Sequence, residues 1–393
     1  MENGCYCLNK RNYQMKKLFY LGILGLIFFE VANVYFIMPM PGSQRMNSVD
    51  LAYFLHTWRW VFRGILGLLI LTGGLSAIRK QPLWGLGSFL AASVIFYLTN
   101  FEMAADTMFY QPSDLQLKNA TQNKVGKERV VIGTVVNGQV RAYPIQYIGY
   151  HHQVKDTLGG KPIIVTYCTV CRTGRVFEPM VNGKLENFRL VGMDHFNAMF
   201  EDATTKSWWR QANGEAIAGQ LKGQTLPEVD ATQTTLEKWL ALHPNSLVMQ
   251  PDAKFQEEYD SLSNYENGKR KGQLSRRDSL SWKDKSWIVG VALGKDSKAF
   301  DWNRLKKELI INDIIENKPI VLALAADQKS FFAFKRPNAA AVFSIKNDTL
   351  YHHKNAYTLL GKSLHTAVPN LAKINAYQEY WHSWQTFHPK TKR

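Results

Sequence analysis

The sequence predicts an α+β chain: a three-helix transmembrane region at the N-terminus, then two tandem, strand-rich pseudo-repeat units. Three observations lead there. Long apolar runs crowd into the first hundred residues. Beyond them, short apolar runs flank Asn-Gly turns, a β-hairpin signature. Finally, Gly133 and Ala142 in VVIGTVVNGQVRAYP match Gly290 and Ala299 in WIVGVALGKDSKAFD, both at an offset of 157.

The apolar runs cover residues 18–38, 60–78 and 83–101, each long enough as a helix to cross a hydrocarbon layer of ~30 Å. Residues 1–17 are basic, with Lys10, Arg11, Lys16 and Lys17, and so are expected in the cytoplasm. The tight connection Arg79-Lys80-Gln81-Pro82 is basic too and reads the same way. Three spans from an inside start carry residue 102 onward outside. The expectation is a multi-pass protein of the bacterial cytoplasmic membrane with an extracytoplasmic C-terminal domain and the lipid bilayer as its partner. Met15-Lys16-Lys17-Leu18 reads as an alternative start. Glu30 and Arg63, within or near the spans, are expected to pair with a neighbouring helix.

A net charge of +16 over 393 residues would suit a nucleic-acid binder. However, residues 1–101 hold nine Lys/Arg against three Asp/Glu, the balance expected around membrane spans. A second cluster, Lys269, Arg270, Lys271, Arg276 and Arg277, reads as a solvated loop or as a contact for anionic lipid. Nucleic acid is not expected as a partner.

Unit one occupies residues 105–251, a charged linker 252–285, and a degenerate unit two 286–393. In unit one, VIGTVV and QVRAYP flank Asn137-Gly138, and KPIIVTY (161–167) reads as a buried strand. A second hairpin, RVFEPMV and LENFRLV, is expected about Asn182-Gly183. TTLEKWLALH (234–243) closes the unit as a helix. At the same offset Asp156 matches Asp313 and Lys161-Pro162-Ile163 matches Lys318-Pro319-Ile320. His243-Pro244 and His388-Pro389 end the two units alike and are read as structural.

The sharpest chemical feature is Cys168-Thr169-Val170-Cys171, where the buried strand ends. Two cysteines at this spacing can close a disulfide, hold a soft metal or act as a redox pair. Arg172 and Arg175 are expected to favour the thiolate. Arg172 also stands where c-type haem attachment needs histidine, which excludes that cofactor. Unit two has Ala325 and Gln328 at the equivalent positions, so the scaffold is expected to stand without the pair. His151 is expected within a few ångströms of the sulfurs, with His152 a weaker candidate. Met193 and His195, with Met199, would suit copper beside cysteine. Trp209 reads as packing or as the floor of a ligand pocket. Asp156 and Asp202 are the first suspects for carboxylate chemistry. No phosphate loop occurs, so no nucleotide is expected.

At AYPIQYIGYHHQVKDTLGGKPIIVTYCTVCRTGRVF the chain resembles the domain-of-unknown-function 3179 family of membrane-anchored prokaryotic proteins. The motifs fall on Ala142-Tyr143-Pro144, Tyr150-His151, Lys155-Asp156, Gly159-Gly160 and Cys168/Cys171. Downstream they fall on Asp202, Thr205, Ser207, Trp209, Gln211, Gly214, Ala216, Gly219 and 384–389. The likeness covers about 105–393. Thr169 stands where the family pattern has proline, Arg172 where it has a small polar residue, and His152 where it has an acid. The resemblance implies membership and brings no reaction with it.

Together these residues point to an extracytoplasmic, membrane-tethered thiol protein. In it Cys168 and Cys171, helped by His151, cycle between dithiol and disulfide or hold a soft metal such as copper. The alternative is a non-catalytic envelope binding module whose cysteines form a structural disulfide.

Overall fold

The computed structural model describes the backbone of residues 2–393 and the side chains of residues 13–393, a mixed α+β chain. Cys5 and Cys7 lie outside the described side chains. Helix α1 (Glu2–Tyr35) is followed by α2 (Val49–Thr57), α3 (Arg59–Lys80) and α4 (Pro82–Tyr97), the last continued by a π-helical turn at Leu98–Glu102. Three stretches, Tyr13–Tyr35, Arg59–Lys80 and Pro82–Glu102, are long and apolar enough to cross a membrane. Their outer surface carries exposed Leu24, Phe28, Leu71, Leu75 and Leu83.

Inside this bundle Glu30 is fully buried. It accepts Arg63 Nε at 2.7 Å and Nη2 at 2.9 Å, and Asn100 Nδ2 at 2.9 Å. A carboxylate buried among apolar helices survives only when paired, and this one ties together all three helices. Backbone contact is close as well: a Cβ on Gly73 would lie 2.2 Å from the Met15 carbonyl oxygen.

The connection between α1 and α3 docks on the rest of the chain. Ile37 O accepts the Met193 N–H at 2.8 Å, and Ala52 is buried with Val191, Met199 and Trp208. His56 Nε2 lies 3.3 Å from a Glu201 carboxylate oxygen.

The strand-rich region opens with β1 (Val130–Val136), β2 (Gln139–Pro144), α5 (Ile145–His151), β3 (Gln153–Leu158), β4 (Lys161–Cys168) and β5 (Thr173–Phe177). It continues with β6 (Phe188–Asp194), β7 (Asn197–Asp202), β8 (Trp208–Arg210), β9 (Ala216–Ala218), β10 (Ala231–Thr235) and α6 (Leu236–Leu242). β1 lies between β2 and β10 in a five-stranded sheet, β4 between β3 and β5, and β6 to β9 form a third sheet. The hairpin expected about Asn182-Gly183 is reduced to two short strands, Met180–Val181 and Lys184–Leu185. The flanking runs instead feed β5 and β6, which belong to different sheets. Thr235 caps α6 by accepting the Lys238 N–H.

After residue 286 come β11 (Trp287–Leu293), β12 (Asp296–Asp301), α7 (Trp302–Glu308), β13 (Ile310–Ile315), β14 (Lys318–Leu324), β15 (Phe331–Lys335), β16 (Ala376–Tyr380) and α8 (Trp381–Phe387). Gly133 pairs with Ala142 across β1 and β2, and Gly290 with Ala299 across β11 and β12. Asp156 faces Ile163 across β3 and β4, and Asp313 faces Ile320 across β13 and β14.

Segment 252–285, expected as a charged linker, is charged mainly on its outer side. Phe255, Tyr259, Leu262 and Tyr265 are buried in the same core as Val131, Ile148 and Val165. Lys269, Lys271 and Arg276 are exposed, as a solvated loop requires. Arg277 departs from that expectation, with its guanidinium 4.3 Å from the Trp287 ring.

Each half rests an indole on a glycine. A Cβ on Gly133 would meet Trp239 at 2.4 Å, and one on Gly290 would meet Trp384 at 2.3 Å. Neither strand backbone nor buried indole can yield that distance. Gly133→Ala and Gly290→Ala are each expected to cost ~1–3 kcal/mol by overpacking. Thermal unfolding of the detergent-solubilised chain checks this, and an unchanged midpoint would contradict the packing described.

Candidate functional site

β4 is buried along most of its length and ends at Cys168, which pairs with Thr173 at the start of β5. The turn between them carries Cys171, then Arg172 in the left-handed region at φ 57°. Both cysteines are free thiols, fully buried. Tyr380 N–H donates to the Cys171 carbonyl at 3.0 Å, fastening this turn to the junction of β16 and α8.

The two sulfurs differ in electrostatic setting. Burial alone would raise the Cys168 thiol, but the Cys171 thiol and the N–H groups of Cys171, Ala198 and Val170 outweigh it and bring it down to about 7. Burial pushes the Cys171 thiol well above its ordinary value, and its bond to Cys168 adds to this; the Lys285 ammonium and Ser383 hydroxyl oppose the rise. One sulfur is thus poised as thiolate beside one held as thiol.

Lys285 Nζ donates to the Val170 carbonyl at 2.6 Å and lies 3.1 Å from His382 Nε2. Burial lowers the Lys285 ammonium, while charge on the two sulfurs favours it. His382 is driven down to about 3 by burial and by the neighbouring ammonium, so it is neutral. A cleft of about 460 Å³ lies beside these groups, bounded by Arg45, His195, Phe196, Leu274, Lys285 and His382.

The tip of the β6–β7 hairpin covers the sulfurs. Asp194 pairs with Asn197, leaving His195 and Phe196 as a two-residue turn at φ 50° and 67°. Such turns favour Asn-Gly, as at 137–138 and 182–183. A bulky aromatic residue here costs about 1–2 kcal/mol. Strain of this kind gathers at functional sites. Phe196 O lies 3.5 Å from Cys168 Sγ, and its N–H donates to Gln44 Oε1 at 3.0 Å.

The expected residues are only partly brought together. His151 is not beside the sulfurs: Nδ1 lies 2.5 Å from Tyr110 O and Nε2 2.6 Å from the Tyr259 hydroxyl. It ends α5 inside the neighbouring core, and His382 stands by the cysteine turn instead. Arg172 and Arg175 do not serve the sulfurs either. Arg172 stacks over Trp287 at 3.8 Å, and Arg175 donates to Glu379 at 2.5 Å. His152 is buried, 3.0 Å from the Tyr167 carbonyl through Nδ1, and burial takes it down to about 4. His195 is hydrogen-bonded to Asp194 at 2.5 Å and lies 3.1 Å from Asn47 Oδ1. Met193 packs against the apolar cluster that holds both cysteines.

Asp156 accepts the Tyr143 hydroxyl at 2.6 Å. Asp202 accepts from Thr205, from the Ser207 N–H and, at 2.9 Å, from Trp209 Nε1. Both carboxylates are thus engaged in holding local structure. Trp209 is buried against Phe188 within the cysteine cluster, a packing residue. Among the described residues no group of three or more His, Cys, Asp or Glu could hold a metal ion. Two thiols with no further ligand of these types do not complete the four-ligand set of a structural zinc site.

Sequence reasoning missed Lys285, His382 and Ser383. Lys285 and His382 lie 115 and 212 residues from Val170 along the chain; the docking of α8 brings in His382, and the end of segment 252–285 brings in Lys285.

Burial takes His152 and His388 down to about 4 and His382 to about 3. In the unfolded chain these groups bind protons near 6.5. The folded state then binds fewer protons between pH 6.5 and 4, so stability is fully present above that window and falls as pH falls through it. Each histidine is expected to cost ~1.4 kcal/mol per pH unit there. Denaturant titrations at pH 7, 6 and 5 check this, and a flat profile would contradict the neutral buried imidazoles.

No curated protein and no solved structure matches the chain. Residues 111–391 match the family described as "Protein of unknown function (DUF3179)", which takes in β1 to α8 and the cysteine turn. The chain therefore belongs to the DUF3179 family.

Proposed function

We propose that this is a membrane-anchored thiol oxidoreductase working outside the cytoplasm, with Cys168 as nucleophile and Cys171 as resolving thiol. The carrying observation is the asymmetric pair of free thiols, one lowered to about 7 and the other raised, beside Lys285 and a cleft. A pKa near ambient pH suits an attacking thiol.

The Cys168 thiolate attacks one sulfur of a substrate disulfide, whose other sulfur leaves and takes up a proton. Cys171 then loses its proton and attacks the Cys168 sulfur of the mixed disulfide, and the substrate sulfur leaves and takes up a proton as the second substrate thiol. The substrate gains two electrons and the protein holds Cys168–Cys171 as a disulfide; oxidation of a substrate dithiol is the reverse. Lys285 offsets negative charge on either sulfur.

The outward placement is supported by the basic segments at 1–17 and 79–80. We also read the two strand-rich halves as tandem pseudo-repeats. The equivalent pairings of Gly133 with Ala142 and of Gly290 with Ala299 support this, as do the indoles on both glycines. On that reading the second half has lost the cysteines and supplies His382 and Ser383.

Iodoacetamide labelling of Cys168 in the full-length chain is expected to titrate with a midpoint near pH 7. Cys171→Ala, which removes a hydrogen bond to the thiolate, is expected to raise that midpoint by about one unit. Cys171→Ser is expected to trap a mixed disulfide with oxidised glutathione. Labelling only after denaturation would leave the pair as core cysteines and sink the redox reading.

Phe196→Ala, which removes the ring at the hairpin tip, is expected to speed labelling of Cys168 roughly tenfold, as a lowered cost of local opening would. Stopped labelling with mass spectrometry checks it. A rate unchanged from wild type would mean that reagent reaches the sulfur by another route.

A further inference from the structure

A second cavity, about 200 Å³, lies where the turn after Cys171, segment 252–285 and the second half meet. Its lining includes Arg172, Glu266, Arg277, Trp287, Lys306 and Lys329. Arg172 is 1 % exposed and Glu266 7 %.

Among the described residues, the polar atoms here are incompletely matched. Arg172 donates through Nε to Gln378 Oε1 at 2.8 Å and through Nη2 to the Glu266 carbonyl at 3.2 Å, while Nη1 has no partner. Arg277 donates through Nη2 to Asn303 at 2.8 Å, and its Nε has none. Glu266 Oε2 accepts the Val130 N–H at 3.0 Å, and Oε1 has none. Unmatched buried groups are rare and call for an explanation. Both guanidiniums also pack on one indole, 3.8 and 4.3 Å from the Trp287 ring. Burial and, after it, the Arg172 charge disfavour the charge on Arg277.

We propose that this cavity is a binding site for a small oxyanion, held between Arg172 Nη1 and Arg277 Nε with Lys306 and Lys329 at its rim. The four cations exceed the two carboxylates, Glu266 and Asp327. Asp327 is already engaged with Thr235, Ser330 and the Lys329 N–H. Burial raises the Glu266 carboxyl, against the Val130 N–H and the neighbouring cations, and so disfavours the negative charge nearest the two guanidiniums. Charge-assisted bonds from a guanidinium fork suit carboxylate and phosphate oxygens alike. The volume admits an anion of that size and excludes a nucleotide.

The site stands apart from the thiol reading and its test is separate. Trp287 and Trp302 line the cavity and report on it by fluorescence. The full-length chain in detergent is titrated with inorganic phosphate and with acetate, against chloride at matched ionic strength. A saturable fluorescence change and a raised unfolding temperature are expected with at least one oxyanion; which one acts identifies the group as phosphate or carboxylate. Arg277→Gln is expected to weaken that binding at least tenfold, since a buried charged donor is lost. Arg172→Lys, which keeps the charge but loses the fork, is the second variant. If it fails to fold, Arg277, whose side chain is only partly buried, decides. Responses no greater than with chloride, or binding unchanged in Arg277→Gln, would overturn the proposal.

Discussion

Two guanidiniums, those of Arg172 and Arg175, are taken out of water at the turn after Cys171, and their need for partners organises what surrounds it. Arg175 and Glu379 face each other with side chains 3 % and 2 % exposed. Arg175 also lies over the Tyr377 ring, and Arg172 reaches Gln378 and Trp287. Every one of these partners belongs to β11 or β16, so the first half can bury its cations only by taking up the second. That docking delivers Ser383 and His382 to the cysteines and fixes Lys285 by its bond to Val170. A buried ion pair is weak as a source of stability; here its value is orientation.

The fold was largely legible in the sequence because its signals are local. Hydrophobic length marked the spans, Asn-Gly marked the turns at 137–138 and 182–183, and the unbroken run at 161–167 marked β4. Cys168 and Cys171 were visible as a pair for the same reason. What was not legible depends on long-range packing. His151 looked like the natural partner because it is near in sequence, yet the end of α5 points it into a different core. Segment 252–285 looked like a linker because its charges are conspicuous. Phe255, Tyr259 and Leu262 do follow helical spacing, but over barely two turns among charged residues, and they pack into the first core.

The donor set also discriminates between chemistries that spacing leaves open. Two sulfurs alone cannot complete a tetrahedral zinc site, whereas an ammonium, a hydroxyl and several backbone N–H groups are what a thiolate requires. Met193 sits among apolar side chains, and His195 is occupied by Asp194. The surroundings are built for an anion on sulfur rather than a cation between ligands.

The docking of residues 36–58 gives the membrane region a second role. Gln44 accepts the Phe196 N–H, Ile37 accepts the Met193 N–H, and Ala52 packs with Trp208. The cover over Cys168 is therefore held in part by the segment that links two spans. A fragment trimmed to the strand-rich region would expose an apolar sheet face and leave the hairpin tip without its brace. The helical region and the cover over Cys168 thus share one set of contacts, so a shift of residues 36–58 would be felt at the hairpin tip.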